Sequence, residues 1–362
     1  MTPLPHVSSD AAIAFQVQLD TLLGEVNRRM RDEVAAASLI GDAPLALMLD
    51  NHRNHARLIC AVVAQNAFPL LLDLLPWVYR VYLARGFSPD YFPAHFSAWR
   101  AACQRHLDPA AAAAITTVYD WLTDLHPDLL AQVGSAPPAT PSTGLTPELD
   151  TFSHSLLTGD DAKANHLASA FIGNDWDAFE RFLLDWVQPA MREIGERWAR
   201  GAIRVAHEHI ATATVSRVIG AAYGRMPPPQ APPRGYAIVS AAPDEHHQLG
   251  VWIFTTLLER RGWKTLFLGA NTPAVDLLAI VREQPPDLVA LSVTMPLSLL
   301  SIQTLLEELR AIQAQPWLMI GGLACSTFPS YANTLAADRV GGAANTAADH
   351  ISARWDQRRE EP

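Results

Sequence analysis

Cysteine is scarce in this chain. Cys60, Cys103 and Cys325 lie far apart and form no CxxC pair. That excludes a disulfide framework and suits a reducing, cytoplasmic setting. Charge is also sparse, at 18% of residues against 49% apolar, a balance unlike that of disordered chains, so most of the chain should fold. No apolar run approaches the roughly 20 residues of a membrane span. The opening MTPLPHVSSDAAIAF has no basic region ahead of an apolar one, so no signal peptide is expected. Dense basic runs are missing too. With a net charge of −10 and no cluster to neutralise phosphates, specific nucleic-acid binding is not expected. Neither is a membrane partner.

Proline, by contrast, is concentrated. SAPPATPSTGLTP (135–147) and RMPPPQAPPRG (225–235) read as semi-rigid spacers. They divide the 362 residues into 1–134, 148–224 and 236–358, in keeping with the two or three domains the length suggests. The first segment is Ala- and Leu-rich with apolar residues three and four apart, the pattern of six to eight amphipathic helices. One starts at Asp108, an N-cap, with Pro109 at its first position. The middle segment reads as four helices, about 148–158, 160–173, 175–200 and 203–222, which make a bundle. In the third the period changes. YAIVS (236–240), KTLFLG (264–269), DLVALSV (287–293) and WLMIGG (317–322) alternate with helical stretches. That order predicts a parallel sheet covered by helices, a Rossmann-like (flavodoxin-like) α/β domain. Such sheets bind ligands beyond the C-terminal ends of their strands.

Three loops at that edge carry a pattern. APDEHHQLG, after the first strand, contains Glu245-x-His247-x-x-Gly250; Ser292-x-Thr294 and Gly321-Gly322 follow. Forty-one residues separate Gly250 from Ser292, and 26 separate Thr294 from Gly321. Residues 236–350 thereby resemble the cobalamin-binding domain of methionine synthases, B12-dependent mutases and corrinoid proteins. The resemblance implies cobalamin with its nucleotide tail displaced, His247 as the lower cobalt ligand, and a tail slot left open by Ser292, Thr294, Gly321 and Gly322. A ligating imidazole usually gives its other N–H to a carboxylate. The related proteins have Asp where this chain has Glu245, so Glu245 and Asp244 are both candidates. His246 is expected to be solvated or to cap the next helix.

A helix bundle ahead of such a domain resembles the cap over the cofactor's upper face. Trp198, then nine residues, then Glu208-His209 is similar to the Trp-x9-Glu-His motif of light-sensing cobalamin proteins of the CarH type. Gly201 should break the chain between the two parts of the motif. The resemblance implies adenosylcobalamin, with Trp198 against the adenosyl group and Glu208 helping to hold it. It further implies light-driven loss of adenosyl and His209 as the upper ligand afterwards. His207 lies about 200° from His209 around a helix, so the two do not share a face.

The DNA-binding light repressors begin with a basic helix-turn-helix, where this chain has 134 residues of helical pattern. The combination resembles photocobilins, which pair the cobalamin module with a bilin. The resemblance implies a globin-like first domain holding biliverdin. An apolar slot, cations for propionates and polar groups for pyrrole nitrogens would be needed. Residues 50–100 offer His52, Arg53, His55, Arg57, Tyr79, Arg80, Arg85, Tyr91 and His95. Cys60 and Cys103 lie in no attachment motif, so non-covalent binding is expected. Haem through His52, His55 or His95, or an empty dimerisation domain, are the alternatives. The reading that results is a photoreceptor and not an enzyme, forming a homo-oligomer, most simply a dimer, whose state responds to light. A methyl-carrying corrinoid protein of a methyltransferase system, and a light-regulated transcription factor, are the competing readings.

Overall fold

The computed structural model describes residues 3–32, 36–135, 146–228 and 232–360. Most of the spacer at 135–147 and the centre of the one at 225–235 lie outside the described residues. The chain divides into two compact units, Met1–Thr140 with Ala199–Gly201, and Pro141–Trp198 with Ala202–Pro362. No helix among the described residues is long and apolar enough to cross a membrane.

The first unit is all helical: α1 (Ser9–Val17), α2 (Leu19–Asp32), α3 (Ala36–Ile40), α4 (Leu45–Gln65), α5 (Phe68–Ala84), α6 (Tyr91–His106) and α7 (Pro109–Ser135). Local chemistry sets the ends. The Ser8 hydroxyl accepts from the Ala11 amide at the start of α1. Asp108 accepts from the amides of Ala110 and Ala111 at 3.0 Å, and Pro109 opens α7, the arrangement expected of an N-cap followed by proline. Asn66 closes α4 in the left-handed conformation at φ 51°. Its amide side chain then bridges both backbone groups of Val7. The core runs through Phe15, Leu22, Val26, Met30, Val62, Trp99 and Tyr119.

The second unit joins a bundle to a sheet. The bundle comprises α8 (Pro147–Thr158), α9 (Asp161–Ile172), a long helix and α12 (Val205–Tyr223). The long helix runs as α10 (Trp176–Arg181), one π segment (Phe182–Val187) and α11 (Gln188–Ala199). Gly201, at φ 72°, lies in the break between α11 and α12. The sheet domain follows as β1 (Tyr236–Ala241), α13 (Leu249–Arg260), β2 (Lys264–Gly269), α14 (Ala274–Glu283), β3 (Leu288–Ser292), α15 (Pro296–Arg310), β4 (Trp317–Gly321), α16 (Leu323–Thr327), α17 (Pro329–Ala332), β5 (Arg339–Val340) and α18 (Ala344–Glu360). The strands lie in the order β2-β1-β3-β4-β5, all parallel. In this order the strand sequence switches sides between β1 and β3, which opens a crevice beyond their C-terminal ends. The edge strand β5 was not expected from the sequence.

Bundle and sheet share one apolar core. Phe152, Phe182, Val215 and Val218 are continuous with Leu257, Trp263 and Ile351. α12 approaches α13 closely at Gly220, where a Cβ would meet the Trp252 ring at 3.4 Å. An ion network reinforces the join. Arg260 pairs with Asp177 and Glu180, and Arg261 reaches Glu180 at 3.2 Å and Asp349 at 2.5 Å. Glu180 and Arg261 are largely buried, and removing one member of a buried ion pair costs about 3–5 kcal/mol.

The proline-rich segment between them is held at both ends. The Trp176 indole donates to the Pro227 carbonyl at 3.0 Å, and the Trp355 indole donates to the Arg234 carbonyl at 2.7 Å. Arg234 also pairs with Asp356. A spacer expected to run from 225 to 235 is therefore anchored inside those limits, at Pro227 and at Arg234.

Candidate cofactor site

The crevice is built from the three loops that carry the sequence pattern. Strand register sets Ala241 beside Ser292, and Ser292 beside Gly321. Backbone bonds carry this alignment into the loops: Ala242 donates to Ser292 at 2.9 Å, and Val293 donates to Gly321 at 2.8 Å. After β1 the chain turns at Asp244, φ 59°, whose side chain is exposed. Glu245 then points inward with 0% exposure.

The Glu245 carboxylate has four donors. Oε1 accepts from the His247 amide at 3.1 Å and lies 2.5 Å from His247 Nδ1. Oε2 accepts from the Thr294 and Met295 amides, both at 2.8 Å. Burial alone would raise the Glu245 pKa. The bonds from His247, Met295 and Thr294 outweigh it and hold the carboxyl below its ordinary value. The same bond holds the His247 imidazole above its ordinary value; burial opposes this, and the charges of Glu245 and Glu208 add to it. Of the two candidate acids, Glu245 is thus the one that orients His247. Nδ1 is engaged, which leaves Nε2 as the nitrogen to face a metal, and the side chain is 50% exposed toward solvent. His246 is exposed, as expected.

Small residues line the same crevice. A Cβ on Gly250 would meet Ser292 Oγ at 3.1 Å. Gly322 has φ 100°, and a Cβ there would lie 2.4 Å from the Val293 carbonyl oxygen. Only glycine fits that position. Gly321 is less constrained, since its Cβ would meet only Met319 Cε at 3.8 Å. Asn271, not singled out from the sequence, ties the loop after β2 to the first loop. Its amide donates to the Glu245 carbonyl, and its side chain accepts from the Asp244 amide.

From the bundle, Trp198 is half-buried in the last turn of α11 and Glu208 sits in the first turn of α12. Glu208 accepts from Thr212 Oγ1 at 2.8 Å and lies 3.0 Å from His209 Nδ1. Its charge acts on His247, so the bundle presents a carboxylate within electrostatic range of the crevice histidine. His209 is 73% exposed. His207 is used elsewhere: its Nδ1 accepts from the Arg204 amide at 3.2 Å, capping α12.

In the first unit the structure separates the candidate bilin residues into two sets. His52, His55, Tyr79, Tyr91 and His95 come together. His52 and His95 stack at 4.6 Å, His55 meets His95 edge-on at 4.6 Å, and Tyr91 stacks on His95 at 5.4 Å. His55, His95, Tyr79, Tyr82, Tyr91 and Phe92 line a small cavity of about 40 Å³. Buried and unpartnered around it are Nε2 of His52 and of His55 and the hydroxyls of Tyr91 and Tyr119. Arg53, Arg57 and Arg80 lie outside on exposed helix faces, and Arg53 pairs with Asp50. Arg85 is half-buried at the end of α5. Sequence reasoning missed His126, which lies 2.9 Å from the Tyr79 hydroxyl, and Trp99, whose indole donates to His95 Nε2 at 2.9 Å. No local pattern announces either, because both contacts depend on which helix faces meet.

Comparison with known proteins agrees with the crevice. Residues 148–223 and 235–352 each match a family described as a B12 binding domain. The bundle and the sheet are therefore B12 binding domains. Over 199 residues the chain is 32% identical to the HTH-type transcriptional repressor CarA of Myxococcus xanthus, which covers 54% of this chain and 65% of that protein. Over 155 residues it is 29% identical to the repressor CarH of the same organism, covering 41% and 49%. The matches thus span less than two thirds of either relative. Among solved structures, the monomethylamine corrinoid protein of Methanosarcina barkeri overlays at a TM-score of 0.47 with 15% identity, covering 57% of this chain and 97% of that one.

Proposed function

We infer that this protein is a light sensor that uses adenosylcobalamin, and that it works by changing its own association rather than by catalysis. The observation that carries the reading is the pairing of two sites within one unit: His247 oriented by buried Glu245 below, and Trp198, Glu208 and His209 on the bundle. The donor set fits the cofactor, since a neutral imidazole with a carboxylate partner is what cobalt takes, and the small residues Gly250 and Ser292 line the crevice beside it. Bound, adenosylcobalamin supplies a cobalt–carbon bond that light breaks. The chain's part is to hold the adenosyl group against Trp198 and Glu208. His209, exposed and beside Glu208, is the side chain we assign as the one that would hold the cobalt in place of the adenosyl group.

A bilin, held without a covalent bond, is our assignment for the aromatic cavity of the first unit. The unpartnered His and Tyr atoms suit pyrrole nitrogens and lactam oxygens. Burial pushes the Cys103 thiol up to about 12 and raises Cys60 as well, so neither is a ready thiolate for attachment. A haem would instead use His55, whose Nε2 is unpartnered at the cavity wall.

Absorption spectra decide between these readings. The full chain, supplied with adenosylcobalamin and biliverdin, is expected to show a corrin spectrum that changes irreversibly under green light, and a separate far-red band. His247→Ala should bind cobalamin at least tenfold more weakly or with an altered corrin spectrum. A methyl-carrying corrinoid protein would share the His247 effect but has no use for His209. A photoproduct indifferent to His209→Ala would favour it.

A further inference from the structure

Glu245 does more than orient His247. Its two carboxylate oxygens are divided between two loops: Oε1 serves the His247 amide and ring, and Oε2 serves the Thr294 and Met295 amides. Met295 is the N-cap of α15, and its own side chain makes no capping bond. The Met295 amide at the N-cap, and the Thr294 amide just before it, are thus satisfied from across the crevice by another loop's side chain. The loop so held is also the wall against which Gly322 packs, through Val293.

We propose that Glu245 is a positioning residue that fixes the cobalt-facing imidazole and the Thr294–Met295 wall of the crevice as one piece. This rests on the cobalamin reading. Length is the deciding property. An aspartate here retracts the carboxylate by one methylene, so it can keep His247 or the two amides but not both. A glutamine has one oxygen for two sets of donors, and its NH2 group faces N–H groups on one side or the other. Reciprocity follows from the shared carboxylate: whatever removes the imidazole loosens the amides, although His247 makes no bond to either.

The test is amide hydrogen exchange on the cofactor-free full chain, joined to absorption titration with hydroxocobalamin. Glu245→Asp and Glu245→Gln are expected to speed exchange at Thr294 and Met295 at least tenfold. They should also shift bound hydroxocobalamin toward a spectrum without a histidine lower ligand, with Asp no better than Gln. Because a buried-site variant can fail to fold, His247→Ala provides a second arm. Its side chain is half-exposed, and its loss should speed exchange at Thr294 and Met295 at least threefold. Wild-type exchange at those two amides in His247→Ala, or in folded Glu245→Asp, overturns the proposal. Failure of the wild-type chain to take up hydroxocobalamin removes the cofactor reading instead, and the exchange rates still decide the clamp.

Discussion

The imidazoles of His52 and His95 lie stacked 4.6 Å apart at 13°, both buried. Burial lowers His52 to about 4, with the Arg31 charge adding to it. It lowers His55 to about 3 and His95 well below its ordinary value, each helped by the neighbouring histidines. Beside them lie the uncharged Asn27, Tyr91, Phe96, Trp99 and Tyr119, and the Arg31 charge that reaches His52 also disfavours protonation. The folded unit therefore holds neutral rings where the unfolded chain takes up protons near pH 6.5. Stability is complete above that pH and falls as the pH drops toward the folded values. His52 alone removes about 3 kcal/mol between pH 6.5 and 4. Near-ultraviolet circular dichroism, which reports Trp99 and Tyr119, should show a melting temperature that declines from pH 7 to 4.5. A flat profile would contradict the neutral cluster.

Gly322 and Gly321 are adjacent but unequal. Gly322→Ala puts a Cβ against the Val293 backbone at a positive φ, a strain of order 1–3 kcal/mol. It should lower the melting temperature of the second unit and abolish cobalamin binding. Gly321→Ala meets only a flexible methionine tip and should retain most of both. Equal losses in a thermal melt and a cobalamin titration would show that the two glycines play the same part.

His209→Ala should leave dark binding of adenosylcobalamin near wild type and prevent a stable photoproduct with two histidine ligands. His207→Ala, which loses only the cap at Arg204, should give the wild-type photoproduct. Spectra recorded before and after green light separate the two variants.

Val205 and Ile210 are exposed apolar side chains that flank His209 on the first turns of α12. A reorientation of His209 changes the surface they form. Size-exclusion chromatography with light scattering should give a different mass or profile in dark and light for the adenosylcobalamin-bound chain. Ile210→Glu should remove the difference while leaving the photoproduct spectrum intact.

Much of this was legible in the sequence because it is local. Loop residues at the ends of apolar runs mark the crevice, and Asp108-Pro109 marks the start of α7. What was not legible depends on geometry between elements. Glu245 rather than Asp244 turns inward because Asp244 takes the left-handed turn. The Thr294 and Met295 amides reach it only through the β1–β3 register. Edge strand β5 is two residues long and gives no apolar run. In the first unit, composition grouped Arg53 and Arg57 with His52 and His55. On α4, however, His52, Ala56, Ile59 and Val63 form the inward stripe, and the arginines, one residue after His52 and Ala56, turn to an exposed face.

The short span between Pro227 and Arg234 has a kinetic consequence. Suppose the ion pairs of Glu180 with Arg260 and Arg261 part and the bundle lifts from the sheet. Six residues then separate the two anchored ends, a contour of about 20 Å. At that leash length the local concentration of bundle at its own sheet domain is on the order of millimolar. Re-closure is then a first-order event, at a rate that does not change when the protein is diluted, whereas any assembly of separate chains is slowed by dilution. A concentration series thus separates the two motions even where they follow the same flash of light.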